Sequence, residues 1–193
     1  MSLIQPPRYE QLDDDQRAFW DELVETRGPR VLDDAGCLTG PIGVWVLAPE
    51  VGKRAAAMAS ATRSPSALDE RSKELAIITI VGRWQAEFPW LAHAQFARDQ
   101  GVPDETIEAI AEGREPPLAS ERDQVVYAAA RALITSGRID DPTLDACRRI
   151  LGERATVELI VVCGFYTIVS FTTNAASVCF PEGAALRWQT GRA

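Results

Sequence analysis

One histidine, His93, stands among 193 residues, so any imidazole chemistry the chain performs converges on that position. Glu74 precedes it by nineteen residues and Glu87 by six. A carboxylate within reach of an imidazole makes an acid/base pair, in which the carboxylate orients the ring and the ring gives or takes a proton. Arg71 and Arg83 are candidate clamps for a substrate carboxylate, because a planar guanidinium fork matches two oxygens. Trp84 and Trp90 are candidate pocket walls, although aromatics near helix starts usually belong to a core. Structural alternatives stand beside each role. A lone histidine on a helix is often a satisfied core residue, and Glu74 could be a buried carboxylate paired with Arg71 or Arg83.

Other chemistries have little to draw on. One histidine cannot build a His-rich zinc or iron site, and Cys37, Cys147, Cys163 and Cys179 include no C-x-x-C pair. No metal site and no cofactor is therefore expected. The 28 acidic and 20 basic side chains leave a net charge of −8. That balance argues against nucleic acid, which needs a basic face to displace counterions, and against anionic lipid. Scattered cysteines fit a reducing cytoplasm, and residues 1–7 carry neither the charged nor the apolar region of a secretory leader.

The elements that must position these residues read as helices. Residues 13–26 put Phe19, Trp20, Leu23 and Val24 on one side. Residues 38–43 read as a loop punctuated by Gly40, Pro41 and Gly43, and Pro49 opens a helix through residue 61. Ser66 and Asp69 resemble a capping signal for a helix over 70–85. Its run of Leu75, Ile77, Ile78, Ile80 and Val81 is β-branched enough that a strand is the rival reading. Pro89 marks a helix start and Gly101 its end. Were Pro89 the first position, His93 would feel the positive helix end, which favours the neutral ring, while Glu74 or Glu87 would favour imidazolium. Further helices are expected over 104–111, 121–136 (capped by Ser120, closed by Gly137), 141–151 and 153–178. Nothing reads as a strand, so the fold class is all-α.

The last helix carries no charge between Glu158 and Glu182. A spanning helix needs about 20 predominantly apolar residues, and Thr167, Ser170, Thr172, Thr173, Asn174 and Ser177 interrupt this one. It is expected to be buried on all sides, in a core or a subunit interface, rather than in a membrane. Its beginning, Glu158-Leu159-Ile160-Val161-Val162, echoes Glu74-Leu75-Ala76-Ile77-Ile78. If the echo is a duplication, Asn174 stands where the first copy has His93, and Tyr166 and Asn174 become candidate substrate-binding residues.

Arg71-x-x-Glu74-Leu75, Glu87-Phe88-x-Trp90-x-x-His93 and Ala97-x-x-x-Gly101-Val102-Pro103-Asp104-Glu105-x-Ile107 resemble the carboxymuconolactone decarboxylase and alkyl hydroperoxidase D-like superfamily. The resemblance runs over residues 38–178 and is strongest over 70–107. It implies an all-helical fold of duplicated helical hairpins assembled as trimers or hexamers. It also implies one domain over 1–193: an N-terminal helical extension (1–37), two units (38–115 and 116–180) and a tail (181–193). In the peroxidase branch the motif is a Glu, a C-x-x-C and a His on one hairpin. Here Glu74 and His93 hold the outer positions, and the cysteine positions fall on Ala86 and Pro89. Neither can supply the thiolate that a helix N-terminus activates.

The resemblance therefore implies cofactor-independent acid/base chemistry on a small organic acid or lactone, as decarboxylation or isomerisation. Catalysis is expected from His93, Glu87 and Glu74, with Arg71, Arg83, Trp84, Trp90, Tyr166 and Asn174 binding substrate. Two alternatives remain: a thiol-dependent hydroperoxide reductase-like protein, and a non-catalytic oligomeric small-molecule-binding protein of the same fold.

Overall fold

The computed structural model describes residues 3–178, 180 and 185–188. Cys179, Glu182 and most of the expected tail lie outside them. Nine α-helices occur among the described residues: α1 (Asp14–Arg27), α2 (Gly40–Trp45), α3 (Pro49–Arg63), α4 (Glu70–Arg83), α5 (Glu87–Asp99), α6 (Asp104–Ala111), α7 (Glu121–Ser136), α8 (Asp141–Leu151) and α9 (Glu153–Ala175). No strand occurs there, only isolated bridges between Ile4 and Ala176 and between Leu32 and Leu38. The fold is all-α.

Packing divides the chain into residues 1–63 with 171–193, and residues 64–170. This is a division by contact, and it follows different boundaries from the units expected by repeat. In the first, α1 buries Phe19, Trp20 and Leu23, and its start is a capping box between Asp13 and Gln16. The loop expected over 38–43 is instead the entry to α2. Proline is tolerated in a first helical turn, where its missing N–H costs nothing, and Pro41 sits there. The α2–α3 corner is tight. A Cβ at Gly52 would lie 2.3 Å from the Trp45 carbonyl and 2.7 Å from the Phe19 ring.

The second unit is built around α4. Every residue from Ser72 to Gly82 is buried, because α5, α6 and α7 all pack against this helix. Burial on every side, rather than strand pairing, accounts for its continuous apolar run. The cap is Asp69, not Ser66: the Asp69 carboxylate accepts from the Ser72 amide at 2.9 Å, while the Ser66 hydroxyl donates to the Leu68 carbonyl at 3.0 Å. Two ion pairs tie α4 to the start of α7. Arg122 meets Asp69 at 2.7 Å, and Arg71 grips Asp123 through two bonds of 3.1 and 2.8 Å.

Helix α5 begins at Glu87, two residues earlier than Pro89 suggested, and Gly101 follows it at φ +79°. Helix α9 stops at Ala175 and is not buried all round. Leu159, Val162, Cys163, Tyr166 and Val169 are buried, whereas Val157, Val161, Ile168 and Phe171 face outward. Among the described residues it is the one helix long and apolar enough, by length and composition, to cross a membrane, and half of its most apolar window is buried.

Candidate acid/base site

Glu74 lies in the second turn of α4 and His93 in the second turn of α5, on a hairpin whose link is Trp84-Gln85-Ala86. The hairpin brings His93 Nδ1 to 2.7 Å from Glu74 Oε2. Both side chains are nearly buried, 12% and 10% exposed. Tyr166, arriving on α9, sets its ring edge-on to the imidazole at 4.8 Å between centroids and 83° between planes. Phe96, one turn beyond His93, does the same at 5.6 Å and 85°. Excluding water with two aromatic rings strengthens the hydrogen bond they flank, since the local dielectric falls.

The structure therefore unites three residues singled out in the sequence, Glu74, His93 and Tyr166, and adds Phe96. The signal for Phe96 was present: an aromatic three residues after a helical histidine shares its face. Glu74 pairs with neither arginine proposed as its structural partner. Helix α5 starts at Glu87, so His93 is its seventh residue, beyond the first turn over which the helix dipole acts. Glu87 opens α5 and sits about 120° around the helix from His93, on a different face.

The remaining candidates occupy other surroundings. Arg71 is committed to Asp123 and also donates to the Gln100 carbonyl at 3.3 Å. Arg83 is exposed and stacks 5.4 Å over the Trp84 ring, beside a groove of about 360 Å³ that Arg114 and Arg131 also line. Trp90 is buried against Gly82, where a Cβ would come within 3.2 Å of its ring. Asn174 belongs to the first unit. Glu158, the echo of Glu74, accepts from the Leu68 amide at 2.8 Å and from Arg154 at 3.1 Å, so the two echoed glutamates do different work.

Cys147 and Cys163 are buried and poorly placed for reactivity, and Cys37 is half-buried. Ala86 and Pro89 are both buried. Burial pushes the Cys163 thiol up to about 12 and raises Cys147 as well.

Residues 49–132 match the model of the carboxymuconolactone decarboxylase family. Over that segment the chain is similar to the carboxymuconolactone decarboxylase family. The matched segment holds both Glu74 and His93. The fold is similar to the alkylhydroperoxidase AhpD core of an uncharacterized peroxidase-related protein from Ralstonia eutropha JMP134. That match has a TM-score of 0.66 at 13% identity and covers 92% of this chain and 90% of the other. An uncharacterized peroxidase-related protein from Silicibacter sp. TM1040 aligns with a TM-score of 0.63 at 16% identity, over 88% and 86% of the two chains. No curated protein matches this sequence.

Proposed function

We propose that Glu74 and His93 form an acid/base pair that acts, without a cofactor, on a small organic acid or lactone by decarboxylation or isomerisation. The 2.7 Å contact between His93 Nδ1 and Glu74 Oε2 carries this reading. A carboxylate can only accept, so Nδ1 holds the proton and Nε2 is the nitrogen left for chemistry. In an isomerisation the neutral ring takes a proton at Nε2 from a carbon beside a carbonyl, and the electron pair moves into that carbonyl. The imidazolium then returns the proton at a different carbon. In a decarboxylation the bond to the carboxyl breaks and carbon dioxide leaves. Its electron pair passes into a conjugated carbonyl, and the imidazolium protonates the carbon. Glu74 supports both by stabilising the imidazolium.

The test is NMR in deuterated water with small lactone acids and β-keto acids, wild type beside His93→Gln. Turnover or deuterium incorporation should fall by about 10²–10⁴-fold in the variant, the usual worth of a positioned acid/base. Equal turnover in both proteins removes His93 from the reaction.

A thiol-dependent hydroperoxide reductase is the second reading, favoured by the peroxidase-related names of the structural neighbours. Alkylating every thiol abolishes that activity and leaves the acid/base reaction untouched. A non-catalytic binding protein would keep its ligand affinity in His93→Ala. On any of the three, the chain works in the cytoplasm as a homo-oligomer, a trimer or hexamer.

A further inference from the structure

We propose that the groove between the C-terminal ends of α4 and α6 and the side of α7 binds a small organic anion carrying two or more acidic groups. The groove lies wholly within residues 64–170 and has a volume of about 360 Å³, toward the lower end for small-molecule sites. Each of three segments brings one arginine to it: Arg83 closes α4, Arg114 follows α6, and Arg131 lies on α7. Glu112 is the one carboxylate among the lining residues, so three positive side chains meet one negative in a chain whose net charge is −8. Like charges gathered at one place repel, and an anion seated between them relieves that repulsion.

The contacts these arginines make leave donors for a ligand. Arg83 sets its guanidinium 5.4 Å over the Trp84 ring, which uses its face rather than its N–H edge. One oxygen of Glu112 accepts from both Nε and Nη2 of Arg114, at 2.6 and 2.5 Å. Arg131 pairs with one oxygen of Glu115 and lies 5.9 Å over the Tyr127 ring. A guanidinium carries five N–H donors, so Arg114 and Arg131 each keep several beyond these bonds. The Arg114 and Arg131 side chains are 59% and 56% exposed, and ion pairs so wet contribute little, so a ligand with two acidic groups displaces or shares them. The floor of the groove is polar but uncharged: Tyr127 and Thr79 are 9% and 4% exposed. Burial and the Glu115 carboxylate raise the Tyr127 phenol above its ordinary value, so near pH 7 it is an O–H able to donate to an acid oxygen. The groove stands apart from the acid/base pair, since Glu74 lies nine residues before Arg83, about 13 Å along α4.

Isothermal titration at fixed ionic strength, with citrate, pyrophosphate and acetate as probes, tests the site. Wild type should bind citrate or pyrophosphate saturably, one anion per chain, and acetate at least about tenfold more weakly. A preference for citrate supports the groove with a polycarboxylate as its ligand, and a preference for pyrophosphate supports it with a phosphate compound. Arg83→Gln and Arg131→Gln should each weaken binding about tenfold, the order of one charge-assisted hydrogen bond. Arg98→Gln, on α5 outside the groove, and His93→Gln should bind as wild type does. No saturable binding, affinity unchanged in both groove variants, or loss in Arg98→Gln overturns the site. Loss in His93→Gln also overturns it, by placing the anion at the acid/base pair. The acid/base reading itself is judged by turnover, so either can fail without the other.

Discussion

Because Glu74 holds one nitrogen of His93, its removal and the removal of the ring itself should have different kinetic signatures. Glu74→Gln keeps an acceptor near Nδ1 but loses the charge that stabilises imidazolium. It should slow turnover by about 10²-fold, whereas His93→Gln should cost up to about 10⁴-fold. Equal turnover in Glu74→Gln and wild type would separate the carboxylate from the chemistry. Cys163 makes a second residue-scale prediction. With its thiol pushed up to about 12, only on the order of one in 10⁴ is thiolate at pH 8. Iodoacetamide should leave Cys163 unmodified in the native protein and label it once the chain is unfolded, a difference read by mass spectrometry. The family resemblance made Glu74 and His93 candidates in advance, and the residues alone left Glu74 and Glu87 both open as partners of the ring. Asp123 was not, because the partner of Arg71 lies 52 residues away and follows from how α4 and α7 pack.

Helix α4 depends on a cap and on a strained link, and each can be tested separately. Burial alone would raise the Asp69 carboxyl. The Ser72 amide and hydroxyl with the Arg122 guanidinium outweigh it and hold the group below its ordinary value. A depressed carboxyl stabilises the fold above its unfolded value, near 4, and that contribution is lost as pH falls through the folded one. Asp69→Asn should therefore flatten the acid limb of a stability–pH curve, and Asp69→Ala should cost about 1 kcal/mol in urea unfolding at pH 7. At the far end of α4, Gln85 stands at φ +48°, in the left-handed region. Gln85→Val should cost about 1–2 kcal/mol, since a β-branched side chain resists that conformation, while Gln85→Gly should not destabilise the protein. The sequence shows a break between two helices at this point but not its handedness, because glutamine carries no turn signal.

Across the whole molecule, the Arg71–Asp123 pair joins the helix that carries Glu74 to α7. Asp123→Ala leaves a guanidinium that is one-third exposed without its partner. The expected loss is about 2 kcal/mol, below the figure for a fully buried pair because water reaches the arginine. Asp123→Ala should lower the denaturation midpoint while leaving turnover at 25 °C nearly unchanged, which separates scaffold from chemistry.

Helix content, the candidacy of Glu74 and His93 and the neutrality of the last helix were properties of the sequence by itself. Caps, apolar period and motif spacing act over a few residues to a few tens, a range within which the backbone has few ways to fold. Other features waited for the tertiary structure. Which arginine was already committed to a carboxylate, which ring closed on His93, and which side of α9 stayed in solvent all depended on residues remote in the chain. Only the packing of helices brings such residues within the 3–5 Å over which hydrogen bonds and ring contacts act.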